Sequence, residues 1–118
     1  MKEWWKKPSR SEIIGIDFDG TLFENSWPDN YREPRIQIIE WAKKCKSQGA
    51  YLILVTCREG KLAEDAVKAC AQYGLVFDAV NQNHPEHIKK YGDCRKIYCD
   101  IYLDDKNISL RQAAYGLI

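Results

Sequence analysis

No apolar run in this chain approaches the roughly 18 consecutive residues of a membrane-spanning helix, and no signal-peptide pattern opens it. The expectation is a soluble, cytoplasmic protein with no membrane partner. Histidine is scarce, 2 in 118 residues, and the 5 cysteines include no Cys-x-x-Cys pair. Neither a zinc knuckle nor a disulfide framework is therefore expected. The cysteines at 45, 57, 70, 94 and 99 read instead as small apolar residues in a reducing compartment. Excess charge is missing as well. With 18 Lys and Arg against 17 Asp and Glu, the formal net charge is only +1, which does not mark the whole chain for nucleic acid. A length of 118 residues suffices for one buried core and is too short for two.

What is present is a stretch in which burial and charge collide. Ile13-Ile14-Gly15-Ile16 has the composition of a strand buried on both faces, and it runs directly into Asp17-Phe18-Asp19-Gly20-Thr21-Leu22. Two carboxylates one residue apart at a strand's end repel each other and lose solvation. A cation, hydrogen bonds or a shared proton has to compensate them. An EF-hand loop also begins Asp-x-Asp, but it needs Gly at its sixth place and Glu at its twelfth. This chain has Leu22 and Pro28 there.

Around that strand, helix and strand patterns alternate. Phe23 to Glu33 is polar and broken by Pro28, and reads as a turn or small hairpin. Pro34 suits the first turn of a helix in which Ile38, Trp41, Ala42 and Cys45 recur at helical spacing until Gly49. Ala50 to Thr56 is an apolar, β-rich run that delivers Thr56-Cys57-Arg58 at its end. A second amphipathic helix carries Leu62, Ala66, Val67, Cys70 and Tyr73 along one side and closes at Gly74. Val76 to Val80 reads as a short strand, and Pro85 as the start of one or two helical turns. Asp100 to Leu103 reads as a fourth strand, ending in Asp104-Asp105. A short helix near Leu110 and a final strand or arm over Tyr115 to Ile118 complete the pattern. Residues 1–11, with four basic side chains against Glu3 and the pair Trp4-Trp5, read as a terminal arm beside a single domain over 12–118.

The alternation implies an α/β fold: a three-layer, Rossmann-like parallel sheet flanked by helices, with right-handed crossovers. Ligands of such sheets sit beyond the carboxyl ends of the strands. Asp17, Asp19, Thr56, Asp104 and Asp105 all fall there, on three different strands. Carboxylates without clustered His or Cys make a hard oxygen site, suited to Mg²⁺ rather than zinc.

Asp17-x-Asp19-Gly20-Thr21-Leu22 after an apolar strand resembles the first motif of the haloacid dehalogenase (HAD) superfamily, whose members are mostly Mg²⁺-dependent phosphohydrolases. Thr56 is similar to the second motif, and the acidic pair after Ile101-Tyr102-Leu103 to the fourth. Lys96, eight residues before Asp104, matches the third, with Lys89 and Lys90 in reserve. Eight extended residues span about 26 Å, so Lys96 reaches the rim only if residues 95–99 fold back, for example as one helical turn. The resemblance runs from Ile13 to Asn107 and implies a HAD-like domain. In it, Asp17 would be the nucleophile that forms an aspartyl-phosphate, and Asp19 the acid and then the base. Dehalogenases lack an acid at that second place and cation-pumping ATPases carry Thr, so Asp19 favours phosphatase or phosphomutase chemistry. Mg²⁺ would be held by Asp17, the Asp19 backbone carbonyl, Asp104 and Asp105. Gly20, Thr21, Thr56, Cys57, Arg58 and Lys96 would surround the phosphate.

Two further motifs are set aside. A cysteine phosphatase loop needs arginine six places after the cysteine, where Cys57 is followed by Ala63. His84-x-x-His87 has no third ligand nearby and reads as a solvated loop pair. The gaps after the first and second motifs leave no room for the cap that HAD proteins usually carry. An uncovered site admits a phosphorylated macromolecule, takes its lid from a second subunit of a homo-oligomer, or hydrolyses small phosphates with low selectivity. The leading expectation is a Mg²⁺-dependent phosphomonoester hydrolase. One alternative is a phosphatase of nucleic-acid ends, resembling the phosphatase half of polynucleotide kinase/phosphatase enzymes and motivated by the Trp-Lys arm. The other is a non-catalytic scaffold that binds phosphate or metal.

Overall fold

β1 (Ile13–Ile16) is buried along its whole length because it pairs on both sides, with β2 (Tyr51–Leu54) and with β4 (Ile101–Leu103). Both pairings are parallel, and β3 (Ala79–Val80) extends the sheet beyond β2 in the order β3-β2-β1-β4. The computed structural model describes residues 12–24 and 33–116. Over these residues α1 (Ile36–Ser47), α2 (Gly60–Ala71), α3 (Pro85–Tyr91) and α4 (Leu110–Ala114) alternate with the strands. This is an α/β architecture with an all-parallel sheet flanked by helices, as the alternating pattern requires.

Strand alternation divides the core in two. Ile14, Ile16, Leu52 and Leu54 face one side, where they pack with Phe18, Leu22, Ile39, Ala42, Cys70 and Leu75. Ile13, Ile53 and Cys99 form the smaller cluster on the other side. Gly15 belongs to that second side, and a β-carbon there would come within 2.5 Å of Cys99 Sγ. The glycine thus makes room for the thiol. Helix α1 buries Ile39 and Ala42, and α2 buries Ala66, Ala69 and Cys70. Past the end of α2, Gly74 takes φ +81° and the Leu75 N–H returns to the Cys70 carbonyl at 3.1 Å. That is a glycine-dependent helix stop.

Several sequence expectations are corrected. Pro34 does not open α1. It bridges antiparallel to Phe23, and the Arg35 N–H donates to the Leu22 carbonyl at 2.8 Å. That tie keeps the chain extended until Ile36. β3 is only Ala79–Val80. Val76 lies outside the sheet, 54% exposed, and pairing starts at Asp78, whose N–H donates to the Leu52 carbonyl and whose Oδ2 accepts from the Leu52 N–H. Tyr115 caps α4 rather than starting a strand. The 1–11 arm, most of the Phe23–Glu33 segment and the last two residues lie outside the described residues. Among the described residues no helix is long and apolar enough to cross a membrane.

Candidate active site

β1 and β4 run in register, Ile16 beside Leu103, so Asp17 and Asp104 leave the sheet as neighbours. The Asp17 N–H still donates to the Leu103 carbonyl at 3.0 Å, which fixes its backbone at the rim. One oxygen each from Asp17, Asp104 and Asp105 lies within 4.8 Å of the other two. Thr21 ties the set together: its hydroxyl donates to Asp17 Oδ2 at 3.1 Å and accepts from the Asp105 N–H at 3.0 Å. The turn that returns Thr21 to the site closes on one atom, the Phe18 carbonyl, which accepts from the N–H groups of Thr21, Leu22 and Phe23. Gly20 within that turn takes φ +86°, and Asp105 lies so close that a β-carbon on Gly20 would strike its Oδ2. Both conditions call for glycine.

The electrostatics follow from this crowding. Burial, then the Asp104 charge, push the Asp17 carboxyl up to about 7 against the pull of the Thr21 hydrogen bond. Burial would also raise Asp105, but the hydrogen bond from Lys106 and its charge outweigh it and hold that carboxyl below its usual range. The Lys106 ammonium is 3.1 Å from Asp105 Oδ2, and its own pKa rises chiefly through that bond and the Asp105 charge. A trio of carboxylates with no nitrogen or sulfur donor fits a hard divalent cation such as Mg²⁺. Such an ion would oppose the burial and the repulsion that raise the Asp17 carboxyl.

Asp19 lies outside that trio. Arg58 Nε and Nη2 each donate to it at 2.8 Å, one to each carboxylate oxygen. The Arg58 side chain is fully buried, and its guanidinium carbon sits 5.1 Å from the centre of the Phe18 ring. Thr56 lies at the end of β2. Its hydroxyl accepts from the Arg58 N–H at 3.1 Å, which leaves the hydroxyl hydrogen to donate. Cys57 between them is exposed. Lys96 lies in a bend rather than a helical turn, its ammonium 6.0 Å from the centre of the Tyr102 ring. The segment that carries it is held by buried Asn83, which donates to the Cys94 carbonyl and accepts from the Tyr98 N–H. Both histidines are half-buried. His84 Nδ1 caps α3 by accepting from the Glu86 N–H, its ring packs on Tyr51, and His87 stacks on Tyr98 at an interplanar angle of 9°.

A solved structure of a conserved protein from Bacteroides thetaiotaomicron is 32% identical in sequence and superposes with a TM-score of 0.73. The match covers 92% of this chain and 89% of that one. The chain belongs to the family of that protein. No protein-family profile and no curated protein matches the chain.

Two contributors escaped sequence reasoning. Asn81 takes φ +51° directly after β3 and clamps the Thr56 backbone, accepting from its N–H and donating to its carbonyl, each at 2.8 Å. An Asn at a strand's carboxyl end was its only signal. Lys106 follows the acidic pair immediately, and adjacency to Asp105 was signal enough to weigh it against Lys96.

Proposed function

We propose that this protein is a Mg²⁺-dependent phosphomonoester hydrolase of the HAD type that works through an aspartyl-phosphate on Asp17. One observation carries the proposal: the oxygens of Asp17, Asp104 and Asp105 converge from two neighbouring strands. Held by those three carboxylates and the Asp19 carbonyl, Mg²⁺ would neutralise charge on the phosphate and lower the proton affinity of Asp17. Thr21 donates to Asp17 Oδ2 and so restrains the carboxylate that would attack phosphorus. Thr56 offers its hydroxyl hydrogen to a phosphate oxygen, from a backbone that Asn81 holds rigid. Lys106 already sits on the carboxylate cluster and is the lysine best placed to meet a phosphate; Lys96 keeps that role only if it leaves the Tyr102 ring. We take the site to be capless, because α2, β3 and α3 account for the chain between Thr56 and Lys96.

Hydrolysis of a generic phosphate ester, with and without Mg²⁺, by wild type and by Asp17→Asn tests the proposal. Turnover that needs both the ion and Asp17 supports it. Absence of turnover by wild type with Mg²⁺ leaves the scaffold alternative in its place.

A further inference from the structure

α3 and the segment after it wall a cavity of about 870 Å³ that the catalytic proposal does not use. That volume lies within the range of about 300–1,000 Å³ in which small-molecule sites fall. Ile13 lines it and also opens β1, so the cavity sits at the amino end of the strand whose carboxyl end delivers Asp17. Asp17 is four strand residues further on, roughly 13 Å away. His84, Glu86, His87 and Cys94 also line the cavity, a composition that invites a metal reading. Their donor atoms do not converge. Among the described residues, Asp17, Asp104 and Asp105 are the only set of three or more such side chains whose ligand atoms lie within 4.8 Å of one another.

The walls of the cavity suit an organic ligand instead. His87 stacks on Tyr98 with ring centres 5.1 Å apart, and Tyr91, which is 62% exposed, continues the row at 5.0 Å from His87. A row of rings with an exposed end packs against a flat aromatic group. Lys90 supplies a positive charge beside it. Its ammonium rests 5.3 Å from the centre of the Tyr91 ring, a weak contact at an exposed site, so an anion can draw it away without disturbing the fold. Glu86, one turn before Lys90 on α3, offers two acceptor oxygens. His84 Nδ1 accepts from the Glu86 N–H, which leaves the ring hydrogen on Nε2 to donate.

We propose that this cavity is a second ligand site, remote from the carboxylate trio, that binds a nucleoside monophosphate. The base packs along the Tyr91 and His87 rings, Glu86 accepts from N–H groups of the base, and Lys90 pairs with the phosphate. Guanine suits it best among the bases, because its adjacent N1–H and N2–H groups meet both oxygens of one carboxylate. None of these residues belongs to the proposed phosphohydrolase site, so the inference is independent of that reading.

Calorimetric titration of the full chain with guanosine monophosphate (GMP) in EDTA tests it, with guanosine and inorganic phosphate as partial ligands. The expected result is saturable binding of one GMP per chain, with inorganic phosphate alone too weak to detect. Lys90→Ala should weaken GMP by about tenfold, through loss of one charge-assisted pair, and leave guanosine unchanged. Tyr91→Ala should weaken both by about tenfold, through loss of one stacking partner. Both side chains are exposed, so these variants keep the fold. Asp17→Asn should bind GMP as wild type does. Absence of GMP binding by wild type overturns the inference. An affinity that Lys90→Ala and Tyr91→Ala both leave unchanged, or that Asp17→Asn abolishes, also overturns it, since the nucleotide then lies elsewhere. Inorganic phosphate bound as tightly as GMP would reduce the site to an anion contact and overturn it too. No turnover is measured, so the outcome stands whether or not the protein is a phosphohydrolase.

Discussion

The carboxylate of Asp105 rests against the Cα of Gly20, with no room between them for a β-carbon. That contact locks the turn after β1 to the turn after β4 and helps to aim Asp105 at Asp17. In Gly20→Ala the added methyl meets Asp105, and the φ of +86° costs about 1–2 kcal/mol for a residue with a β-carbon. The expected result is a lower Tm together with Mg²⁺ binding weakened by about tenfold, as loss of one ligand's orientation would give. Calorimetric titration with Mg²⁺ checks it. Unchanged affinity in a folded Gly20→Ala protein would mean that Asp105 does not need this contact to reach the ion.

The Asp17 carboxyl makes metal-free stability depend on pH. In the folded protein it keeps its proton up to about 7, against 3.8 for an unperturbed Asp. Between those values the folded state holds a proton that the unfolded state has lost, so stability falls as pH rises through that window. Asp17 is only partly buried; after allowance for solvent screening, the loss is on the order of 1–2 kcal/mol, or several degrees in Tm. Thermal melts at pH 5 and pH 8 should show this decline in EDTA. Mg²⁺ should offset it at the higher pH by binding the folded state alone. Asp17→Asn should flatten the metal-free slope and lose the response to Mg²⁺. A metal-free Tm that rises between those two pH values would contradict the burial and crowding assigned to Asp17.

Local signals in the sequence reached the strands that matter and stopped short of side-chain partnerships. Ile13–Ile16 was legible because a doubly paired strand must be apolar on both faces, and the polarity of the strands then placed Asp17 and Asp104 on one rim. β4 is an edge strand with Tyr102 44% exposed, yet its apolar run was still readable. Arg58 illustrates what was hidden. A basic residue after Thr56 suggests a phosphate ligand, whereas the fold buries it beneath Asp19, from which 39 positions separate it along the chain. No periodicity encodes such a pairing. β3 was overestimated for a related reason: Val76 to Val80 has strand composition, but the Asp78 side chain, and not a backbone group, accepts the Leu52 N–H.

Because Arg58 and Asp19 are both largely removed from water, their coupling should be large. Arg58→Met strands a carboxylate whose side chain is only 16% exposed, at an expected cost of about 3–5 kcal/mol. Asp19→Asn in the same protein removes the stranded charge and should restore about 2 kcal/mol of it. A double-mutant cycle by urea denaturation measures this directly. Additive losses in the two single variants would mean that the pair contributes nothing as a pair.

Asn81 separates backbone strain from side-chain support at Thr56. Its φ of +51° is a conformation that Gly adopts freely and Ala adopts at about 1–2 kcal/mol. Its amide also makes two hydrogen bonds to Thr56, both near solvent, together worth about 1–2 kcal/mol. Asn81→Gly therefore loses only the clamp, while Asn81→Ala loses the clamp and strains the turn. The expected order of stability is wild type, then Asn81→Gly, then Asn81→Ala. Both variants should bind inorganic phosphate or vanadate more weakly than wild type, by a similar factor, because both release the Thr56 backbone. If Asn81→Gly instead binds these anions as tightly as wild type, Thr56 is held well enough by β2 and the Arg58 N–H alone, and the clamp serves the fold rather than the site.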